Sequence, residues 1–260
     1  MDQLLQTILL GIIEGITEFL PISSTGHLLI AEHWLGHRSD LFNVAIQAGA
    51  ILAVVFIYWQ RLWGLFTGLA KPENRDYVVK LLVSFLITAV GGFIAKKLGL
   101  KLPETVAPVA WALIIGGLVI FWVERYVGHR EVSEVVTWKV AIVVGLCQIL
   151  AAVFPGTSRS AATIFAAMLA GLTSRAAAAD FAFMVGIPTM FAATGYELLK
   201  VVKDNGFASE DWNALAIGFV VSAVVAFVAV KWLLIYIQTH KFTVFAWYRL
   251  ALGILLLAFV

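Results

Sequence analysis

Charge is what this sequence has least of. Lys, Arg, Asp and Glu together make up 13% of its 260 residues against 62% hydrophobic residues, where soluble domains carry about 25% charged residues. That excludes an ordinary soluble fold, because a domain of this size has too little interior to hide so much apolar surface. The missing burial must come from lipid. Basic residues are also too few and too scattered for a nucleic-acid surface: eighteen Lys and Arg stand against sixteen Asp and Glu, a net charge of +2, with no cluster. The lone Cys147 excludes an internal disulfide and reads as a free thiol in an apolar run. The start, Met1-Asp2-Gln3, lacks the basic region of a cleavable signal peptide, so the apolar segment after it is expected to stay in the mature protein.

What the sequence does have is long apolar runs. A helix needs about 20 mostly apolar residues to cross the hydrocarbon core. Residues 41–60, 105–123, 140–158 and 212–230 reach that length or nearly so without a formal charge. Residues 81–95, 181–196 and 242–260 qualify when flanking lysines snorkel, although the last contains Arg249.

Two segments differ from plain spans. Residues 3–35 carry Glu14 and Glu18 and then Pro21-Ile22-Ser23-Ser24-Thr25-Gly26-His27, and residues 140–171 carry Gln148 and then Pro155-Gly156-Thr157-Ser158-Arg159-Ser160. Proline, glycine and clustered hydroxyls free backbone groups that lipid cannot satisfy, so each break must face protein or water. Both read as re-entrant helix-break-helix hairpins. A shift of 134 residues lays Gly11 on Gly145, Glu14 on Gln148, Pro21 on Pro155, Ser23 on Thr157 and Ser24 on Ser158, which points to an internal repeat.

The expected fold is therefore all-α: a single integral membrane domain over residues 1–260 with six transmembrane helices and two re-entrant hairpins. One repeat covers about residues 1–125 and the other about 137–260. Three crossings per repeat invert the second relative to the first, and sites in such folds lie where the broken helices meet. Ten Lys and Arg, from Arg61 to Lys241, fall on one side. Six, namely Arg38, Lys96, Lys97, Lys101, Lys200 and Lys203, fall on the other. The richer side should be cytoplasmic, placing both termini outside.

Charges at membrane depth cost roughly 2.5–3.5 kcal/mol each, so Glu14, Glu18 and Arg159 are expected to work for their place. Glu14 and Glu18 share a helical face and suit a divalent cation or acid–base chemistry. Ser23, Ser24, Thr25 and Gly26 precede a helix, where such residues cap; the same geometry binds phosphate. His27 is close enough in sequence for a hydrogen bond with Ser24, while His33, His37, His129 and His240 read as ordinary loop or interface residues. Arg159, flanked by Thr157, Ser158 and Ser160, has the fork geometry that grips phosphate. Gly116 and Gly117 permit close helix packing, which leaves a homodimer open without predicting one.

The two hairpin motifs, in this order, resemble the signatures of the bacterial undecaprenyl-diphosphate phosphatases, the bacitracin-resistance family, and the resemblance runs to the chain's ending at Tyr248 and Arg249. It implies a phosphatase of the bacterial cytoplasmic (inner) membrane, multi-pass, that removes the terminal phosphate of undecaprenyl diphosphate. The product, undecaprenyl phosphate, is thereby recycled for peptidoglycan and other cell-wall synthesis. By carry-over, Glu14, Glu18, Ser24, Thr25, His27, Ser158 and Arg159 are its functional positions, with a divalent cation (Mg²⁺ or Ca²⁺) and an active site open to the periplasm. The preferred mechanism makes Ser24 the nucleophile, His27 its base and Arg159 the anion stabiliser, with Ser23, Thr25, Gly26, Thr157, Ser158 and Ser160 about the phosphate; His27 as nucleophile and water activated by the carboxylates stay open as competing assignments. The rival reading is a transporter of lipid phosphate built on the same inverted repeat.

Overall fold

The computed structural model describes residues 2–100, 105–205 and 210–258, all helix and connections. Eleven helices and no strand occur among the described residues. Lys101, and the last two residues of the expected 242–260 span, lie outside them.

The first segment forms α1 (Gln3–Thr17) and α2 (Ser24–Leu35), separated at the expected break. Asp2 caps α1 by accepting from the Leu4 N–H, and Gly36, at φ 87°, ends α2. Next come α3 (Asp40–Ile57), α4 (Trp59–Thr67), α5 (Pro72–Lys97) and α6 (Val106–Val127). The second broken segment is α7 (Trp138–Val153) and α8 (Arg159–Ala170), followed by α9 (Arg175–Asn205), α10 (Trp212–Thr239) and α11 (Thr243–Ala258).

Several boundaries moved outward from the charge-free runs. The run 81–95 grows to α5 because a proline at its first turn starts the helix early, and because buried Lys80 is paired with Asp76 and lies over the Trp138 ring. The run 181–196 grows to α9 and carries Pro188 inside it. The run 41–60 instead stops at Ile57, where α4 begins as a separate helix.

Five helices, α3, α5, α6, α9 and α10, are long and apolar enough to cross a membrane; α11, at 16 residues, is shorter. Their outer faces expose Leu86, Val90 and Phe93 on α5, Ile115 and Leu118 on α6, and Val220, Val224 and Val228 on α10. Such apolar belts require lipid around them. The protein is a multi-pass membrane protein.

Packing is by close helix approach. The short helix α1 lies on α10, where a Cβ at Gly15 would come within 2.7 Å of the Ser222 carbonyl; α7 lies on α5, where a Cβ at Gly145 would come equally close to the Ser84 carbonyl. Small residues at these crossings replace the hydrophobic drive that lipid removes. α3 packs on both α9 and α10, and α6 packs on α11. An ion pair of Arg175 with buried Glu124, Nε to Oε1 at 2.9 Å, joins α9 to α6, and the same oxygen accepts the Phe242 N–H at 2.8 Å just before α11.

Candidate active site

The two breaks meet each other, and the backbone makes each in the same way. Ser23 (φ 75°) and Ser158 (φ 69°) take positive φ, the only non-glycine residues to do so among those described. Such a conformation costs about 1–3 kcal/mol and persists only where surroundings impose it. Each serine then caps its helix: Ser23 Oγ accepts the Gly26 N–H at 3.2 Å, and Ser158 Oγ accepts the Ala161 N–H at 3.3 Å. Ser23 is thus the structural counterpart of Ser158, one residue out of step with the 134-residue shift. The extra residue is Gly156, whose φ of 87° lengthens the second loop.

Helix α6 supports both loops. A Cβ at Gly26 would sit 3.3 Å from Val109, and one at Gly156 would sit 2.9 Å from the same residue. Between them lies Arg249 of α11, 0% exposed. Its guanidinium donates to the carbonyls of Pro21 (3.3 Å), Gly156 (3.2 Å), Thr157 (3.3 Å), Ala112 (2.9 Å) and Leu113 (3.3 Å). One side chain therefore ties both hairpin loops to α6, and it fits because Gly116 leaves room: a Cβ there would overlap the guanidinium.

A cavity of about 600 Å³ opens at the junction, walled there by Glu18, Ser24, Thr25, Gln148, Ser158 and Arg159 and extending to Glu32, Lys96, Glu197 and Lys200. Ser24 Oγ donates to Glu18 Oε2 at 2.5 Å, and Arg159 donates to the other oxygen, Oε1, of the same carboxylate. One carboxylate thus couples a hydroxyl of the first hairpin to the guanidinium of the second.

The expected hydrogen bond between Ser24 and His27 is replaced by this one. His27 turns away: its Nδ1 contacts the Ser23 carbonyl at 2.7 Å, and its Nε2 contacts the Tyr248 hydroxyl at 2.6 Å. The physical reason is the tight first turn of α2, which brings the ring back over the Ser23 carbonyl, while Tyr248 stacks on it with ring centroids 5.6 Å apart. Ser23 and Gly26 are used within the loop as cap and as contact with α6. Ser160 Oγ donates to the Leu20 carbonyl at 3.0 Å, joining the hairpins, and contacts Ser158 Oγ at 3.1 Å. Thr157 lies on an apolar groove between α6, α7 and α8 instead of the polar cavity.

Glu14 is fully buried, its carboxyl group lies against that of Glu18 within hydrogen-bonding reach, and Arg159 is within electrostatic reach. Among the described residues no three His, Cys, Asp or Glu side chains gather as a complete metal cage. Ser24 and Arg159 engage both oxygens of Glu18, but the Glu14 carboxyl group beside it is a hard donor of the kind Mg²⁺ and Ca²⁺ take, and Mg²⁺ in particular completes its shell with water and substrate phosphate. The donor set fits such an ion.

Arg249 and Tyr248 escaped the residue-level reading, which took Arg249 only as an interruption in an apolar run. Its signal was that interruption, since a charge inside a membrane segment marks a site by default.

The chain is also similar in sequence to known proteins. Residues 7–255 match the bacitracin resistance protein BacA family. The chain belongs to this family. It is 65% identical over 249 residues to an undecaprenyl-diphosphatase of Rhizobium etli (strain CIAT 652), covering 96% of this chain and 94% of the relative. It is 61% identical over 257 residues to an undecaprenyl-diphosphatase of Xanthomonas euvesicatoria pv. vesicatoria, covering 99% and 97%. A third, from Rhizobium leguminosarum bv. trifolii, is 64% identical over 250 residues.

Proposed function

We propose that this chain is an undecaprenyl-diphosphatase, hydrolysing undecaprenyl diphosphate to undecaprenyl phosphate and inorganic phosphate. Near-complete coverage by relatives of that name at 61–65% identity supports the activity. The observation that carries the chemistry is the Ser24–Glu18–Arg159 chain spanning both hairpins.

In the reaction we infer, the terminal phosphate enters the cavity and takes over Arg159, whose fork suits two phosphate oxygens. Ser24 Oγ attacks the terminal phosphorus as its proton passes to Glu18; the bridging P–O bond breaks, and undecaprenyl phosphate leaves with that proton. Water then attacks the phosphoserine, Glu18 taking its proton while Ser24 regains one and phosphate departs. The α2 and α8 N-termini add N–H groups and partial positive charge where negative charge develops. His27, held by Ser23 and Tyr248, orients the first turn of α2. Glu14 would be the carboxylate ligand for Mg²⁺ or Ca²⁺, leaving Glu18 to the proton, and the ion would neutralise phosphate charge.

The inverted repeat, with six crossings and two re-entrant hairpins in one domain, is supported by the exchange of partners between halves: α1 packs on α10 as α7 packs on α5. α11 serves as the sixth crossing in this reading. The cavity reaches Lys96 and Lys200, on the side poorer in Lys and Arg, which supports an opening to the periplasm of a bacterial inner membrane. Gly117 is occupied by α11, where a Cβ would lie 3.0 Å from the Ala246 carbonyl, so the glycine pair lends nothing to a homodimer.

Purified protein in detergent should release phosphate from undecaprenyl diphosphate and leave the monophosphate, and Ser24→Ala and Arg159→Ala should each lose this activity while still folding. Lipid exchange between vesicle leaflets without phosphate release would instead favour the transporter reading, which the exchanged partners also suit.

A further inference from the structure

Gln148 is 2% exposed, and neither Oε1 nor Nε2 of its carboxamide has a hydrogen-bond partner. It nevertheless belongs to the wall of the cavity that holds Glu18, Ser24, Ser158 and Arg159. A carboxamide brings two donors and an acceptor, and buried polar groups are nearly always satisfied, so an orphan at a cavity wall asks what satisfies it.

The helix that carries it is held in place. One turn earlier on α7, the Gly145 carbonyl accepts from Thr88 Oγ1 of α5 at 3.1 Å, and Gly145 lies against the Ser84 carbonyl with no room for a side chain. Helix α7 is thereby pinned to α5, which sets the backbone position of Gln148 at this wall.

Its counterpart in the first hairpin, 134 residues earlier, is Glu14, also buried, whose neighbour is the Glu18 carboxyl group. The chemical difference between them divides the labour. A carboxylate only accepts hydrogen bonds and suits a cation; an amide donates them and suits an anion without adding charge.

We propose that Gln148 is a substrate-binding residue whose Nε2 donates to a non-bridging oxygen of the terminal phosphate when that group lies between Ser24 and Arg159. This rests on the phosphatase reading above and adds to it a third phosphate contact, from α7 instead of from a helix N-terminus. The anion would give the amide a hydrogen-bond partner that no described residue supplies.

The test compares Gln148→Leu and Gln148→Glu with the unaltered protein in detergent. It measures KM and kcat on undecaprenyl diphosphate, orthovanadate affinity by calorimetry, and thermal melting. The Leu variant should raise KM and weaken orthovanadate about tenfold while Tm stays level or rises, because an orphaned polar group has been removed. The Glu variant should lose more, since its carboxylate repels the phosphate. Unchanged KM and orthovanadate affinity in Gln148→Leu, or a fall in Tm as its only effect, would overturn the proposal. If the unaltered protein released no phosphate yet bound orthovanadate through Gln148, the phosphatase reading would fail and the anion contact would stand.

Discussion

The buried guanidinium of Arg249 donates to the Pro21 carbonyl at 3.3 Å across 228 residues of chain. Since the same group also holds the Gly156 and Thr157 carbonyls, it sets the spacing of the two hairpin loops. Arg249→Met should therefore lower both Tm and phosphate release, at a stability cost on the order of 3 kcal/mol for several charge-assisted hydrogen bonds. Gly116→Ala should reproduce much of this by displacing the guanidinium. Melting curves and phosphate assays on the two variants check the pairing; a Gly116→Ala protein with normal melting and turnover would argue against it.

In the proposed mechanism Glu18, to which Ser24 Oγ donates, receives the Ser24 proton in place of His27. Glu18→Gln should cut kcat by about 10²–10⁴-fold, as loss of a general base does, whereas His27→Gln and Tyr248→Phe should fall less steeply. Quenched-flow trapping followed by mass spectrometry should find the phosphoryl group on Ser24. Finding it on His27 would reverse the assignment.

How much of this was legible beforehand depended on whether the cause was local. Pro21, Pro155 and the hydroxyls beside them announced the two breaks, because helix interruption is a near-neighbour effect. The apolar runs likewise announced α3, α6 and α10. The loop register did not show, since the extra residue that pairs Ser23 with Ser158 depends on Gly156 taking positive φ. Nor did the partners of Ser24, because a hydrogen bond chosen between Glu18 and His27 depends on which way each ring or carboxylate is held by Tyr248 and Arg159. Arg249 was visible as an anomaly, but its role rests on carbonyls supplied by segments remote in sequence.

The buried Glu14 carboxyl group beside Glu18 bears on the metal. A chelator should reduce phosphate release at least about tenfold, with Mg²⁺ or Ca²⁺ restoring it, and Glu14→Gln should raise the cation concentration needed for half-maximal rate. Full activity in chelator would remove the cation from the account.

Glu124 offers a contrast, since it is buried yet lies outside the cavity wall and serves only the junction of α6, α9 and α11. Glu124→Ala leaves Arg175 unpaired and should destabilise the protein by about 3–5 kcal/mol. The fraction that folds should keep near-normal KM, as kinetics normalised to folded protein would report.

A double-mutant cycle on kcat tests most directly whether residues of both hairpins act as one catalytic unit. Ser24→Ala and Arg159→Ala should each be severely impaired, and the double variant should be little worse than either, because residues acting together lose their effect together. Losses that multiply, or an Arg159→Ala enzyme with normal turnover, would show that the hairpins work separately.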